Sequence, residues 1–372
     1  MARELGRRDF LKSSALLAGT AVTCGGIIHA HSVRAAPIEV PVVDGLAVRV
    51  LLDSSHDIFL GAQEVSGVQI ERARGGADFR NILHNQWGLS LLLESQRADE
   101  ARTLLLDFGY TAEALTNNME LLGVDPRKID ALILSHGHYD HYGGLIGLLQ
   151  KYREVMPASL TLLAAGVDNF CHRYSRTPTQ GQFTDFGVLD RRKLADLRVT
   201  TALADRPTVV GGHAFTTGPI ARTSFEKVLP NTMVEYAIKD GLGCDASHFT
   251  PEELQGKIVP DEHHHEHATC FNIRDRGLVV ITSCGHAGII NTIRQAQEVS
   301  GVTRLHALLG GFHLGPAPVP YIAQAVAELK ALEPDVVVPM HCSGLNFVQA
   351  MRKQMPDRLI ISSTGTRLTF GA

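Results

Sequence analysis

The chain has 372 residues, of which 44% are apolar and 20% are charged, and its formal net charge is −4. This is an ordinary globular composition with enough apolar material for a large core. We find no internal repeat and no low-complexity linker in the sequence, which excludes a solenoid or a fibrous chain.

Residues 1–35 have the layout of an export signal. The pair Arg7 and Arg8 precedes a Phe-Leu-Lys stretch, and an apolar run covers 15–28. Small residues follow, so we expect cleavage after Ala35 and a periplasmic or secreted protein. The pattern resembles the twin-arginine signal, a route known for carrying proteins that have already folded.

Three other interpretations of the N-terminus remain open: a short helix, a membrane anchor and a lipidated Cys24. The apolar run falls short of the roughly 20 residues that a membrane-spanning helix needs. We therefore expect no stable membrane anchor.

The expected mature chain is acidic. Removing residues 1–35 takes away five basic and two acidic residues from 35 and 39, which leaves 30 and 37 and a net charge of −7. This sign makes nucleic acid a poor partner. Five of the six cysteines remain, and an odd number without paired spacing argues against a complete disulfide framework, although it allows one bridge. The oligomeric state stays open.

The first half of the chain mixes strand and helix patterns. Segment 53–85 is loop-like, with weak periodicity, and Thr111 is a suitable N-cap for the helix that follows it. We predict strands at 39–52, 89–94, 103–107, 131–134 and 160–165, and helices at 111–122 and 144–155.

The second half repeats a strand-then-helix rhythm. We predict strands at 278–282, 305–309, 335–339 and 359–362, and helices at 288–298, 321–332 and 344–355. Each group of candidate ligands falls at the C-terminal end of a strand, as is typical of α/β architectures. We interpret residues 36–372 as one domain, with an insertion at about 166–265 that helps to cover the site.

One loop carries four candidate metal ligands within six residues. His136, His138, Asp140 and His141 directly follow the apolar strand 131–134. Imidazoles and a carboxylate at this density suit Zn²⁺ or a similar borderline ion. The alternative is a solvated, histidine-rich turn.

This loop resembles the signature of the metallo-β-lactamase superfamily, His-x-His-x-Asp-His after an apolar strand. Three further stretches agree with it: Leu104–Gly109, Ser283–Gly288 and Val338–Gly344. From about residue 42 onward, the chain resembles the metal-dependent hydrolase branch, superfamily II. That branch is often named after a dihydropterin ribofuranosylaminobenzene phosphate synthase, which makes a methanopterin precursor. The resemblance implies an α/β fold, the αββα sandwich.

The resemblance also implies roles for individual residues. In the superfamily pattern, one metal is held by three imidazoles and the second by a carboxylate and two imidazoles: His136, His138 and His286, then Asp140, His141 and His341. Asp107 matches the first motif, where an Asp supports the metal loop, although it could also be an ordinary turn Asp. One or two zinc ions, or another divalent transition metal, would supply a metal-bound hydroxide in a catalytic centre that includes Asp140 and His141.

The fourth motif departs from the superfamily pattern. Many members place there an Asp that bridges both metals, whereas strand 305–309 continues into Gly310, Gly311, Phe312 and His313. His313 could replace that Asp as a ligand of the second metal. A neutral imidazole has only one free nitrogen, so it cannot bridge two ions as a carboxylate does, and a single metal or an unequal pair remains possible. We interpret His306 as structural.

Two more stretches have competing interpretations. The histidine-rich segment 261–267 could recruit metal, but we favour a solvated edge of the next strand, because neighbouring side chains on a strand point to opposite faces. The stretch from Thr216 to Arg222 resembles a Thr-Gly-Glu-Ile-Pro-Arg stretch of the same branch, with Pro219 and Ala221 departing. Arg222 would suit an anionic substrate group, or it is a surface arginine.

The sequence predicts an exported metal-dependent hydrolase that acts on a small molecule with an ester, lactone, amide or phosphoester centre. Two alternatives stay open: a methanopterin-precursor synthase-like transferase and a non-catalytic metal-binding protein. A flavodiiron-type oxidoreductase is disfavoured, because that branch has a carboxylate where His138 stands.

Overall fold

The computed structural model describes residues 37–73, 78, 80–176, 182–244 and 258–371. The predicted export signal at 1–35 lies outside these residues. Among the described helices, none has both the length and the apolar character needed to cross a membrane.

The described part of the chain contains short strands throughout and seven α-helices. The strands are β1 (Val42–Val43), β2 (Gly45–Leu52), β3 (Gln63–Val65), β4 (Val68–Arg72), β5 (Ser90–Arg97), β6 (Glu100–Leu106), β7 (Ala131–Leu134), β8 (Thr161–Ala164), β9 (His172–Arg176), β10 (Phe183–Gly187), β11 (Thr200–Leu203), β12 (Thr208–Val210), β13 (Ala214–Thr216), β14 (Met233–Glu235), β15 (Ile238–Lys239), β16 (Leu242–Gly243), β17 (Val259–Pro260), β18 (Thr269–Ile273), β19 (Gly277–Thr282), β20 (Leu305–Gly311), β21 (Val336–Met340) and β22 (Thr366–Phe370). The helices are α1 (Ala112–Leu121), α2 (Tyr139–Tyr142), α3 (Leu145–Tyr152), α4 (Arg191–Asp196), α5 (Ile289–Ser300), α6 (Val319–Ala331) and α7 (Leu345–Gln354).

Two large sheets form the centre of the fold. The first has nine strands in the order β11-β8-β7-β6-β5-β2-β22-β4-β3. The second has the order β12-β13-β18-β19-β20-β21, with β1 paired to β18. In the second sheet β19, β20 and β21 are parallel, so their C-terminal ends meet at one edge, where ligand sites are expected.

Three apolar clusters show how the layers pack. The central cluster lies between the sheets and joins side chains of both, such as Leu91 and Ile133 with Val279 and Leu309. The outer face of the first sheet packs on α1, α3 and α4. The outer face of the second sheet packs on α5, α6 and α7. Helices therefore cover both outer faces of two stacked sheets, and the predicted αββα sandwich is confirmed.

Most predicted elements are present with shifted ends. Helix α1 begins as expected, because the Thr111 side chain accepts a hydrogen bond from the Ala114 N–H. The motif strand is β7, at the predicted bounds. Part of the motif loop is itself helical, since α2 covers Asp140 and His141.

Two predictions of elements were wrong. The segment 53–85 is not only loop, because it contains β3 and β4 on the edge of the first sheet. The predicted closing strand at 359–362 is reduced to one isolated bridge between Leu359 and Val337. The last strand is β22, which crosses to the first sheet and pairs with β2 and β4.

The segment 166–265, which we predicted as an insertion, contributes to several sheets. Strands β9, β10, β14 and β17 form a separate four-stranded sheet. By contrast, β11 pairs with β8 and β13 pairs with β18, so these strands extend the two main sheets. A disulfide joins Cys171 and Cys244 across a sequence separation of 73. This is the one bridge that the cysteine count allowed.

Reducing this disulfide is expected to lower the free energy of unfolding by about 2–4 kcal/mol, because the bond closes a long loop. Cys270, Cys284 and Cys342 are free thiols among the described residues. Alkylation of the denatured protein, followed by intact-mass measurement, should therefore label three thiols of the mature chain without reductant and five after reduction. Five labelled thiols without reductant would contradict the bridge.

Helix α5 is capped by a residue from elsewhere in the chain. Its N-cap is Gly288, which has no side chain. The Glu226 carboxylate accepts hydrogen bonds from the N–H groups of Ile290 and Asn291 at 2.9 and 3.0 Å. A side chain at Gly288, whose φ is 95°, would collide with that carboxylate. Glu226 thus satisfies donors that the first turn of a helix leaves free.

Glu226 makes stability depend on pH. Burial raises the pKa of Glu226 to about 7, although hydrogen bonds from Asn291 and Ser224 oppose the shift. An unfolded Glu titrates near 4.3, so between these values the folded chain binds a proton that the unfolded chain has lost. The free energy of unfolding therefore falls as pH rises through this window. We expect the Tm of Glu226→Gln, relative to wild type, to increase between about pH 5 and about pH 8. Glu333→Gln, an exposed control, should show no such change in thermal unfolding.

Candidate metal centre

The predicted ligands converge from the ends of four strands. The loop after β7 supplies His136 and its neighbours, and the loops after β19, β20 and β21 supply His286, His313 and His341. Three of the potential ligand groups here, each with ligand atoms within 4.8 Å of one another, are His136, His138 and His286; Asp140, His141 and His341; and His313 with Cys284 and Cys342.

The first group consists of three buried, neutral imidazoles. Burial lowers the pKa of His136, His138 and His286 well below the usual value, and the neighbouring imidazoles add to the shift. His136 Nε2 and both ring nitrogens of His286 are buried without a hydrogen-bond partner. His138 Nε2 lies 2.8 Å from Thr232 Oγ1. Free imidazole lone pairs in a buried triplet are what a divalent cation needs.

The second group combines one carboxylate with two imidazoles. His341 Nε2 lies 3.3 Å and His141 Nε2 lies 3.9 Å from Asp140 Oδ2. Burial disfavours the charged carboxylate, yet His141 and His341 lower the pKa of Asp140 to about 2. The same carboxylate, together with Asp107, raises the pKa of His141 to about 9 against the effect of burial. Asp140 Oδ1 is buried without a hydrogen-bond partner.

Asp107 orients one histidine of each ligand group through hydrogen bonds. Its Oδ2 lies 2.7 Å from His141 Nδ1, and it accepts hydrogen bonds from Ser135 Oγ and the Ser135 N–H at 2.7 and 2.8 Å. Because the Ser135 hydroxyl donates to Asp107, it accepts from His136 Nδ1, 2.9 Å away. Both Nδ1 atoms are therefore donors, and Nε2 of His136 and His141 is left to ligate.

The backbone at the site is held in a rarely populated conformation. Asp107, His263, His313 and His341 have φ between 43° and 57°, in the left-handed region that non-glycine residues seldom adopt. The N–H of His341 donates to Asp53 Oδ1 at 2.7 Å. Such strain persists only where surrounding contacts enforce it, and it concentrates at functional sites.

The segment 261–267 is not a solvated edge, so that prediction was wrong. Asp261, His263, Glu266 and His267 are all at most 3% exposed. The His263 ring stacks on His286, with centroids 3.9 Å apart and planes 6° apart. The side chains of 261–267 do not alternate between two faces of a strand, because β18 begins only at Thr269, after a turn. The density of histidines was the signal that could have revealed the role of this segment.

Three residues of this segment, Glu266, Asp261 and His263, contact the metal groups. The Glu266 carboxylate accepts from the N–H groups of His286 and Ala287 at 2.9 and 2.7 Å, and so fixes the loop after β19. His138, Asp261 and His263 form a further group of potential ligands. In that group Asp261 is already neutralised by the buried Arg173 at 2.6 Å.

His313 lies beside the metal groups, on the side of the cysteines. Its ring is 4.2 Å from that of His286, and its N–H donates to Cys342 Sγ at 3.2 Å. Cys284 Sγ is 3.5 Å from His141 Nε2 and 3.3 Å from Cys342 Sγ. Burial alone would raise the pKa of the Cys342 thiol, but the hydrogen bond from Cys284 and the nearby His341 lower it. Neither cysteine was predicted from the sequence as a site residue.

Arg222 is not part of any ligand group. It is exposed and forms an ion pair with Glu262 at 2.8 Å. Glu262 lies between the buried Asp261 and His263, so Arg222 is tied to the outer side of that segment. A small pocket lies instead beside His286 and His313, next to Lys227 and Tyr321. The role of Arg222 in substrate binding stays a prediction.

Comparison with known proteins gives a consistent result. Residues 88–157 match the model of the metallo-beta-lactamase superfamily. A 7,8-dihydropterin-6-methyl-4-(beta-D-ribofuranosyl)-aminobenzene-5'-phosphate synthase of Methanocaldococcus jannaschii is 27% identical over 274 residues, covering 72% of this chain and 84% of the relative. An uncharacterized protein of the same organism is 27% identical over 263 residues, covering 70% and 84%.

The fold has a counterpart among solved structures. A crystal structure of a metal-dependent hydrolase of the beta-lactamase superfamily superimposes with a TM-score of 0.63 at 21% identity, covering 88% of this chain and all of that one. The chain therefore has the metallo-β-lactamase fold. The resemblance to that superfamily, and within it to the branch of the methanopterin-pathway synthase, is confirmed.

Proposed function

We propose that the protein is an exported, metal-dependent hydrolase that acts on a small-molecule ester, lactone, amide or phosphoester. The observation that carries this proposal is the pair of adjacent ligand groups, one with three neutral imidazoles and one with Asp140, His141 and His341. Divalent ions bound there would activate a water molecule and polarise the oxygen of the scissile bond. Imidazole-rich, borderline-soft ligands favour zinc.

Individual residues of the chain have separate roles in this proposed reaction. Asp107 and Ser135 fix the tautomers of His141 and His136, so that both present Nε2 to the site. Asp140 Oδ1 is buried and unpartnered, which supports a role for this carboxylate oxygen in orienting the attacking water or accepting its proton. Arg222 is the candidate for an anionic group of the substrate, once it is released from Glu262.

The test is metal analysis of the purified mature protein together with a panel of ester, lactone, amide and phosphoester substrates. We expect at least one tightly bound transition metal per chain, and turnover that chelation removes and zinc restores. Less than one metal per chain, or turnover that survives complete metal removal, would contradict the proposal.

A synthase is the second candidate, favoured by the 27% identical relative of that name. The discriminating assay incubates the metal-loaded protein with a dihydropterin that carries a leaving group on its 6-methyl carbon and with the ribofuranosylaminobenzene phosphate part of the product that this name describes. Mass spectrometry then searches for the joined compound. Product formation without hydrolysis of any panel substrate would replace the hydrolase proposal by this one.

The proposal of export rests on two features. One is the paired-arginine pattern at Arg7 and Arg8, and the other is the Cys171–Cys244 disulfide, a bond that persists mainly in oxidising compartments. Replacing both arginines by lysine should leave the protein in the cytoplasm. The wild-type protein should be recovered outside it with a new N-terminus near residue 36. A protein that stays cytoplasmic with its first residues intact would contradict export.

A further inference from the structure

The loop after β19 brings a thiol between the two ligand groups. Cys284, His136 and His141 form a cluster whose ligand atoms all lie within 4.8 Å of one another. His136 belongs to the first metal group and His141 to the second. Cys284 Sγ therefore lies within reach of a ligand nitrogen from each group.

The distances fit coordination. Zn–S and Zn–N bonds of about 2.3 and 2.0–2.1 Å place sulfur and nitrogen ligands of one tetrahedral ion about 3.5 Å apart. Cys284 Sγ lies 3.5 Å from His141 Nε2. That nitrogen is the free one, because Nδ1 of the same ring lies against Asp107.

Many superfamily members place a bridging Asp at the end of the strand that corresponds to β20. In this chain there is no room for such a side chain. Gly310 has a φ of 116°, and a Cβ on Gly311 would collide with the Ser283 carbonyl oxygen and lie 3.0 Å from Cys342 Sγ. The loop that carries Cys284 occupies the space that a side chain on Gly311 would need. The Cys284 sulfur lies within 4.8 Å of ligand nitrogens from both groups, and the His313 ring lies beside His286, with its N–H on Cys342 Sγ.

We propose that the Cys284 thiolate is a ligand shared by the two metal positions, in place of a bridging carboxylate. This rests on the proposed function only in requiring that the two groups bind metal. Coordination forms a metal–sulfur bond and releases the thiol proton to solvent. A bound cation deprotonates its coordinating thiol outright. The Cys342 sulfur lies 3.3 Å away.

Zinc-edge X-ray absorption of the zinc-loaded full-length mature protein tests the first part. We expect a sulfur scatterer at about 2.3 Å, which persists in Cys342→Ser and in the remote control Cys270→Ser but is lost in Cys284→Ser. A wild-type spectrum without sulfur, or one whose sulfur survives Cys284→Ser, would overturn the proposal.

Cobalt titration tests the sharing. A thiolate-to-cobalt charge-transfer band should grow over both the first and the second equivalent in wild type, and be absent in Cys284→Asp. Cys284→Asp restores a carboxylate bridge, so it should keep two-metal stoichiometry, and it is informative even if the serine variant folds poorly. A band that saturates at one equivalent would limit Cys284 to one metal and overturn the shared role. Neither readout requires turnover, so failure of the hydrolase assay and failure of this proposal are distinguishable.

Discussion

His136→Ala is expected to reduce hydrolysis by at least about 1000-fold, because it removes a ligand whose metal would activate the nucleophile. His136 Nε2 is buried and unpartnered, and its ring lies within 5.0 Å of those of His138, His141 and His286. Its loss opens the first metal group and also removes the neighbour of Cys284. Metal content by mass spectrometry should fall together with kcat.

The matched control is His84→Ala. His84 is an exposed histidine whose backbone, not its ring, makes the hydrogen bonds to Asn118. This variant should keep wild-type metal content and activity. If His136→Ala retained its full metal content, the first group would not be the metal site.

Asp107→Ala is expected to lower the free energy of unfolding of the apoprotein by about 3–5 kcal/mol, the typical result of removing one partner of a buried charged pair. The change leaves His141 Nδ1 and both donors of Ser135 without their hydrogen-bond acceptor. It should also weaken metal binding by about 10–100-fold, as loss of a partner behind a ligand does. Urea unfolding and zinc competition with a chelator measure the two effects.

Asp130→Ala is the control for this experiment, because the Asp130 carboxylate accepts only a backbone N–H. Asp130 is exposed and accepts the Thr103 N–H at 2.8 Å, so its loss should cost no more than about 1 kcal/mol and leave metal affinity unchanged. Equal losses of stability and metal affinity in the two variants would mean that Asp107 is an ordinary turn residue.

The sequence was sufficient where local patterns dictate structure. The apolar run 131–134 followed by densely spaced histidines predicted both β7 and the ligand loop, and the Thr111 cap predicted the start of α1. The motif resemblance supplied the partners from distant loops, His286 and His341, which no local periodicity could have joined. The sandwich followed from the same resemblance.

The rest depended on contacts that are remote in sequence. Cys284 and Cys342 have no metal-type spacing in the chain, yet their sulfurs lie 3.3 Å apart because β19, β20 and β21 are adjacent and parallel. His263 looked solvated because a strand pattern was extended backward over a turn. Its burial comes from stacking on His286, a contact that the sequence does not encode locally.

The position of β22 determines when the first sheet can be completed during folding. This last strand lies between β2 and β4, pairing Leu46 with Phe370 and Thr366 with Arg72. The first sheet thus keeps a gap until residues 366–370 have been made, so its longest-range pairings form late. Folding from the N-terminus cannot complete this sheet before that segment is available. A transport route that threads an extended chain would have to delay closure until after transit, whereas a route for folded cargo would receive the sheet already closed.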